Sequence, residues 1–346
     1  MNLPIIPSLD QACMASARAR QDTLTKPQGS LGRLEELSIQ LAGIYGQPIP
    51  SIQEKAIIVM AGDHGVVAEG VSAFPQEVTP QMVLNFLNGG AAINVLARQA
   101  GARITIVDMG VAVEMPLHPG LLVRKVAPGT RNMAIGPAMT RAQAEQVIQA
   151  GIEVVEAEIA RGLDVVATGD MGIGNTTPSA AIAAAFTGQP PAQIAGRGTG
   201  LDSAGLERKI AVIERALAVN QPNPQDGLDV LAKVGGFEIG GLAGVMIGAA
   251  AHRKAVVVDG FISTAAAMIA VAVAPAARPY LISAHRSKEI GHGIMLDWLQ
   301  LKPLFDLDMR LGEGTGAALG ISVAEAACKI LAEMATFGEA GVSEKE

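Results

Sequence analysis

Val165-Val166-Ala167-Thr168-Gly169-Asp170-Met171-Gly172-Ile173-Gly174-Asn175-Thr176-Thr177-Pro178 reads as a buried strand that runs through a glycine turn into a helix. Residues 165–168 show no alternation of apolar and polar side chains. Such a run fits a strand covered on both faces, the signature of a parallel sheet. Thr177 suits a helix cap and Pro178 a first helical turn. Amides and the dipole at a helix start of this kind bind phosphate, although a tight glycine turn with a threonine cap accounts for the same residues. The pattern is neither a Walker A loop nor a complete GxGxxG fingerprint.

Similar runs recur at 56–60, 104–108, 255–259 and 280–283, with helical patterns over 76–99, 141–161 and 203–219. Strands alternating with helices predict an α/β fold with a Rossmann-like, doubly wound, mainly parallel sheet. Ligands of such sheets bind beyond the carboxyl ends of the strands. Four segments are therefore expected along one edge: Ala61-Gly62-Asp63-His64-Gly65, the 169–177 turn, Asp259-Gly260-Phe261 and Ala284-His285-Arg286-Ser287. Residues 9–25 and 31–43 read as helices, the second with Leu31, Leu34, Leu37 and Leu41 on one face. A last long helix repeats Leu319, Val323, Ala327, Ile330 and Met334. The expected organisation is a small helical subdomain from both termini, residues 1–45 and 300–346, beside a Rossmann-like domain of residues 46–299 that holds the nucleotide site.

With 49% hydrophobic but only 3% aromatic residues, the core must be built from Ala, Val, Ile, Leu and Met. The net charge of −7 argues against nucleic acid, which requires a basic face. A small anion needs only local amides and one or two cations. Cys13 and Cys328 lie far apart in sequence, so a reducing cytosol is expected and a disulfide framework is not. The opening Met1-Asn2-Leu3-Pro4-Ile5-Ile6-Pro7 lacks the basic and apolar regions of a signal peptide. The apolar stretches at 242–251 and 265–274 are too short for membrane spans. A cytoplasmic protein without a membrane partner is the expectation.

Several residues are candidates for chemistry. Glu313 stands in Arg310-Leu311-Gly312-Glu313-Gly314-Thr315-Gly316, just before the last patterned helix. Glycines remove bulk and let backbone amides approach a ligand, and a carboxylate there can take a proton from it. The same pattern also makes an ordinary turn. Gly196-Arg197-Gly198-Thr199-Gly200 precedes a helix carrying Arg208 and Lys209, a second possible anion surface or simply a loop and a solvated face. Asp259, at a strand end, has two readings: binding ribose hydroxyls or capping the helix that follows it. Asp63 and His64 are adjacent, but metal sites need three or four convergent donors, and the other histidines show no ligand spacing. A structural or substrate-lining role is expected for them.

Lys26-Pro27-Gln28-Gly29-Ser30-Leu31-Gly32, Ala61-Gly62-Asp63-His64-Gly65, Met171-Gly172-Ile173-Gly174-Asn175-Thr176-Thr177-Pro178, Asn220-Gln221-Pro222-Asn223-Pro224-Gln225-Asp226-Gly227, Lys233-Val234-Gly235-Gly236 and the Glu313 motif appear in this order. Together, over about residues 10–335, they resemble the nicotinate-nucleotide–dimethylbenzimidazole phosphoribosyltransferase family of cobalamin lower-ligand synthesis. The resemblance implies a homodimer that uses nicotinate mononucleotide and 5,6-dimethylbenzimidazole, needs no cofactor or metal, and releases α-ribazole 5′-phosphate and nicotinate. It implies Glu313 as the base that deprotonates the attacking benzimidazole, with Asp170 assisting near the nicotinate site. Phosphate and nucleotide would rest on Gly172, Gly174, Asn175, Thr176, Thr177 and Lys209, with Asp259 and Ser287 alongside. Phe74, Gln81 and Leu311 would line the base pocket. Two positions depart from the pattern. Asp170 stands where the family usually has Glu, one methylene longer, and Phe74 where some members have a small polar residue. The base accepted is therefore open to adenine or a phenolic as well. A nucleotide-binding oxidoreductase would need a GxGxxG at the first strand, which ends instead in Ala61-Gly62-Asp63-His64-Gly65.

Overall fold

The computed structural model describes residues 1–198 and 200–343. Six strands form one sheet: β1 (Lys55–Gly62), β2 (Arg103–Gly110), β3 (Leu121–Val123), β4 (Val165–Met171), β5 (Ala255–Val258) and β6 (Leu281–Ser283). Their order is β3-β2-β1-β4-β5-β6 and every pair is parallel. The chain winds outward from β1 through β2 to β3, then returns beside β1 as β4 and winds the other way. This is the doubly wound Rossmann order, and the crevice between β1 and β4 is its switch point.

The helices are α1 (Gln11–Thr23), α2 (Arg33–Tyr45), α3 (Val78–Leu87), α4 (Ala92–Ala100), α5 (Arg141–Ala160), α6 (Thr176–Thr187), α7 (Pro191–Ile194), α8 (Ser203–Asn220), α9 (Gly227–Val234), α10 (Phe237–Ala251), α11 (Phe261–Val273), α12 (His292–Leu299), α13 (Thr315–Glu333) and α14 (Phe337–Ala340). Strand side chains alternate between two cores. Ala56, Ile58 and Met60 join Val166, Val256 and the helices α5, α6, α10 and α11 on one face. Ile57, Val59 and Ala61 join Ala167, Val257 and residues of α2, α4 and α13 on the other. Burial on both faces is why the strands read as unbroken apolar runs.

Two expectations need correction. The single helix anticipated over 76–99 is two helices, broken at Asn88-Gly89-Gly90 where Gly89 takes a φ of 74°. The edge strand β3 was not anticipated. It is three residues long, and Val123 is exposed, so it carries no periodic signal.

The two ends of the chain pack together. Ala17, Ala42 and Leu331 form a small shared cluster, and the Arg20 guanidinium donates to the Leu331 carbonyl at 2.6 Å near the end of α13. Helix α13 is long and apolar enough to cross a membrane by length and composition. Here its apolar face, including Ala317, Ile321, Ala324 and Cys328, is buried in the core beneath the sheet.

Candidate active site

Beyond the carboxyl ends of the strands lies a cavity of about 440 Å³. Its floor is the β4 end and the turn that follows. A side chain at Gly172 would come within 2.2 Å of the Gly62 carbonyl, so only glycine lets this turn lie against the end of β1. Helix α6 then begins at Thr176. Asn175 occupies the cap position but makes no cap bond. Its amide instead donates to Asp170 Oδ2 at 2.9 Å. The cap anticipated at Thr177 is thus misplaced by two residues. Thr177 is fully buried inside the first turn and lies off the cavity wall.

Glu313 projects from the loop before α13. Its φ is 63°, between Gly312 at 84° and Gly314 at 94°. A left-handed residue with a side chain costs roughly 1–2 kcal/mol, so the loop must be held. Asp259 holds it. One carboxylate oxygen accepts from the Gly314 amide at 3.1 Å, and the other from the Ala317 amide at 2.9 Å. Thr315 Oγ1 also donates to the Gly312 carbonyl at 2.8 Å. Neither reading of Asp259 stands as made: it does cap a helix, but not the one that follows it. Asp259 is fully buried and absent from the cavity wall, and the helix it caps is α13, not the α11 that follows it. Asp259→Ala should strand two buried amides, lowering stability by about 2–4 kcal/mol. It should lower kcat more than donor affinity. Denaturant unfolding and steady-state kinetics on the same variant check both effects.

The electrostatics of the cavity are one-sided at this end. Burial raises the Glu313 carboxyl to about 7, with the charge of Asp259 adding and the Ile93 amide opposing. Its Oε2 has no hydrogen-bond partner. Asp170 is pushed well above the usual carboxylate range by burial, and further by the charges of Asp259, Glu238 and Glu313, against the Asn175 bond. Behind the turn, His64 Nε2 pairs with Glu238 Oε1 at 2.8 Å. Burial opposes charge on that imidazole, but Glu238 outweighs it and holds the pKa above its ordinary value. Among the described residues, no group of three or more His, Cys, Asp or Glu side chains is placed to hold a metal ion.

The opposite end is cationic. Arg310 lines the cavity and donates to the Gly198 carbonyl at 3.0 Å. Lys209 lies one layer back, reaching Thr176 Oγ1 at 2.7 Å and the Gly196 carbonyl at 3.1 Å. Burial lowers its pKa to about 8, with Glu289 opposing. It therefore acts on the cavity through Thr176. Apolar side chains form the remaining wall: Phe74, Val78, Met82, Ile173 and Leu311. Phe74 and Leu311 are more than half exposed at the mouth.

The cavity thus gathers Glu313, Asp170, Gly172, Asn175, Thr176, Ser287, Phe74 and Leu311. It leaves Gly174, Thr177, Lys209, Asp259 and Gln81 off the wall. Gly174 shapes the turn at a φ of 85°. Gln81 is exposed, and its helical neighbours Val78 and Met82, four residues apart, take the wall instead. Sequence reasoning set His285 along this edge but missed Val78, Met82, Glu289 and Arg310 as wall residues. The spacing of Val78 and Met82 on a predicted helix was the available signal.

A doubly wound sheet with a buried carboxylate and a glycine turn meeting beyond its strand ends places the chain among the α/β folds that bind their ligands at this edge. A phosphoribosyltransferase family model matches residues 6–342. The nicotinate-nucleotide–dimethylbenzimidazole phosphoribosyltransferase of Roseiflexus sp. strain RS-1 is 66% identical over 337 residues, covering 97% of this chain and 96% of that one. Its counterpart in Chloroflexus aggregans is 63% identical over 338 residues, covering 98% and 96%. The crystal structure of the Thermus thermophilus enzyme of that name superposes with a TM-score of 0.93 at 49% identity, covering 97% and 100%. The chain belongs to the nicotinate-nucleotide–dimethylbenzimidazole phosphoribosyltransferase family.

Proposed function

We propose that this enzyme transfers the phosphoribosyl group of nicotinate mononucleotide to 5,6-dimethylbenzimidazole, giving α-ribazole 5′-phosphate and nicotinate. The observation that carries this reading is Glu313, a buried carboxylate poised at about 7 on the cavity wall with one oxygen unpartnered. As one benzimidazole ring nitrogen attacks ribose C1, Glu313 takes the proton from the other. The glycosidic bond breaks with its electron pair returning to the pyridinium nitrogen, so the leaving group departs without needing a proton. Positive charge builds at C1 and is lost on transfer. Asp170 and Glu313 face that charge with acidic Asp259 and Glu238 behind them. A bound pyridinium would favour the ionised forms of Asp170 and Glu313.

The 5′-phosphate would rest at the other end, on Gly172, Asn175 and Thr176, within the field of Lys209 and Arg310. The base would lie against Phe74, Val78, Met82 and Leu311. The same reading takes the protein as a cytoplasmic homodimer, in keeping with two unpaired cysteines.

Mass spectrometry of the products formed from nicotinate mononucleotide with 5,6-dimethylbenzimidazole, adenine or a phenol tests the reaction. α-Ribazole 5′-phosphate and one equivalent of nicotinate are expected as the dominant pair. Release of nicotinate with no new glycosidic product would overturn the assignment.

A further inference from the structure

Glu289 is a third carboxylate on the cavity wall and has no part in the chemistry above. It is only 9% exposed, and its Oε2 has no hydrogen-bond partner. Its backbone amide donates to Ser287 Oγ at 3.3 Å. A side chain on Gly196 would lie 1.9 Å from Oε2, so the carboxylate is lodged against the loop leading to Gly198. Glu289 also borders a second cavity of about 300 Å³, lined by Arg197, Gly198, Lys288 and Arg310. It therefore borders both the cavity that holds Glu313 and the cationic one beside it, with its charge felt by Lys209.

A buried carboxylate oxygen without a donor is costly, and it is satisfied when a ligand brings one. The part of a phosphoribosyl donor lying between C1 and the 5′-phosphate is the ribose, with two adjacent hydroxyls. Two carboxylate oxygens match such a diol through charge-assisted O–H···O bonds. Asp259, the acid whose strand-end position first raised ribose binding, has both oxygens committed to Gly314 and Ala317. We propose that Glu289 accepts the ribose hydroxyls of the bound donor and makes the site selective for ribose over deoxyribose. This rests on the phosphoribosyl-transfer reading.

The test measures binding and kcat/KM for nicotinate mononucleotide and its 2′-deoxy and 3′-deoxy counterparts with the wild type, Glu289→Ala and Glu289→Gln. Wild type should prefer the ribose donor by about 10²-fold, the scale of a hydrogen bond to a charged group. Glu289→Ala should bring that preference to within about threefold by losing activity on the ribose donor alone. Glu289→Gln, nearly isosteric, should lower the preference at least about tenfold and carries the test if the alanine variant does not fold. An undiminished preference in the variants, or an equal loss on all three donors as a purely structural role predicts, would overturn the assignment to Glu289. A wild type that binds none of the three would overturn the phosphoribosyl reading and this proposal with it.

Discussion

Glu313→Gln should lower kcat by about 10³-fold, the usual range for loss of a positioned general base, while nicotinate mononucleotide binds within about threefold of wild type. Gln keeps the size of the side chain and the left-handed loop, and removes only the ability to accept a proton. The loss belongs in kcat because the proton moves only as the new bond forms. Burial that raises the carboxyl to about 7 makes it a stronger base than an exposed glutamate. That burial also divides it between two protonation states near neutrality. Only the ionised form can accept a proton, so the wild-type rate should rise with pH, about tenfold per unit, until the carboxyl is ionised. A bound pyridinium favours ionisation, placing the midpoint in the complex at or slightly below about 7.

The second large effect is on folding. Helices α5 and α10 cross backbone to backbone. A methyl group at Gly151 would lie 1.9 Å from the Gly241 carbonyl oxygen, and one at Gly244 would lie 2.1 Å from the Ile148 carbonyl oxygen. Neither contact can be relieved by turning a side chain, so the helices must separate within the core on one face of the sheet. Gly151→Ala should therefore cost about 3 kcal/mol or more. Gly136→Ala, where nothing lies within 4 Å, should change stability by less than about 0.5 kcal/mol. Urea unfolding midpoints of the two variants, taken side by side, check the contrast.

Most of the sheet was legible because double burial leaves unbroken apolar runs, and β3 escaped because three edge residues produce no period. The strand-end rule alone placed the 172–176 turn and Ser287 along one edge, where the cavity lies. Which way a side chain faces was less accessible. Lys209 shares the buried face of α8 with Val212, Ile213 and Ala216, a spacing of three, four and seven residues that places it inside, behind Thr176. That signal was present and unused. Asp259 is different. It caps a helix whose first capped amide lies 55 residues later, and strand order, which brings the two together, leaves no local trace. The substitution of Asp170 for a longer acid also gains a physical setting. Asn175 reaches it directly at 2.9 Å, so its carboxylate is anchored at the β4 end, next to Gly312 of the Glu313 loop.

Everything in the proposed chemistry turns on a dry Glu313 accepting the proton during phosphoribosyl transfer. The most direct measurement is kcat against pH at saturating nicotinate mononucleotide and 5,6-dimethylbenzimidazole, following α-ribazole 5′-phosphate, for wild type and Glu313→Gln. Wild type should show a rising limb that levels near or slightly below about 7, and the variant a low rate without that limb. A Glu313→Gln enzyme that keeps both the wild-type limb and the wild-type rate would contradict that role.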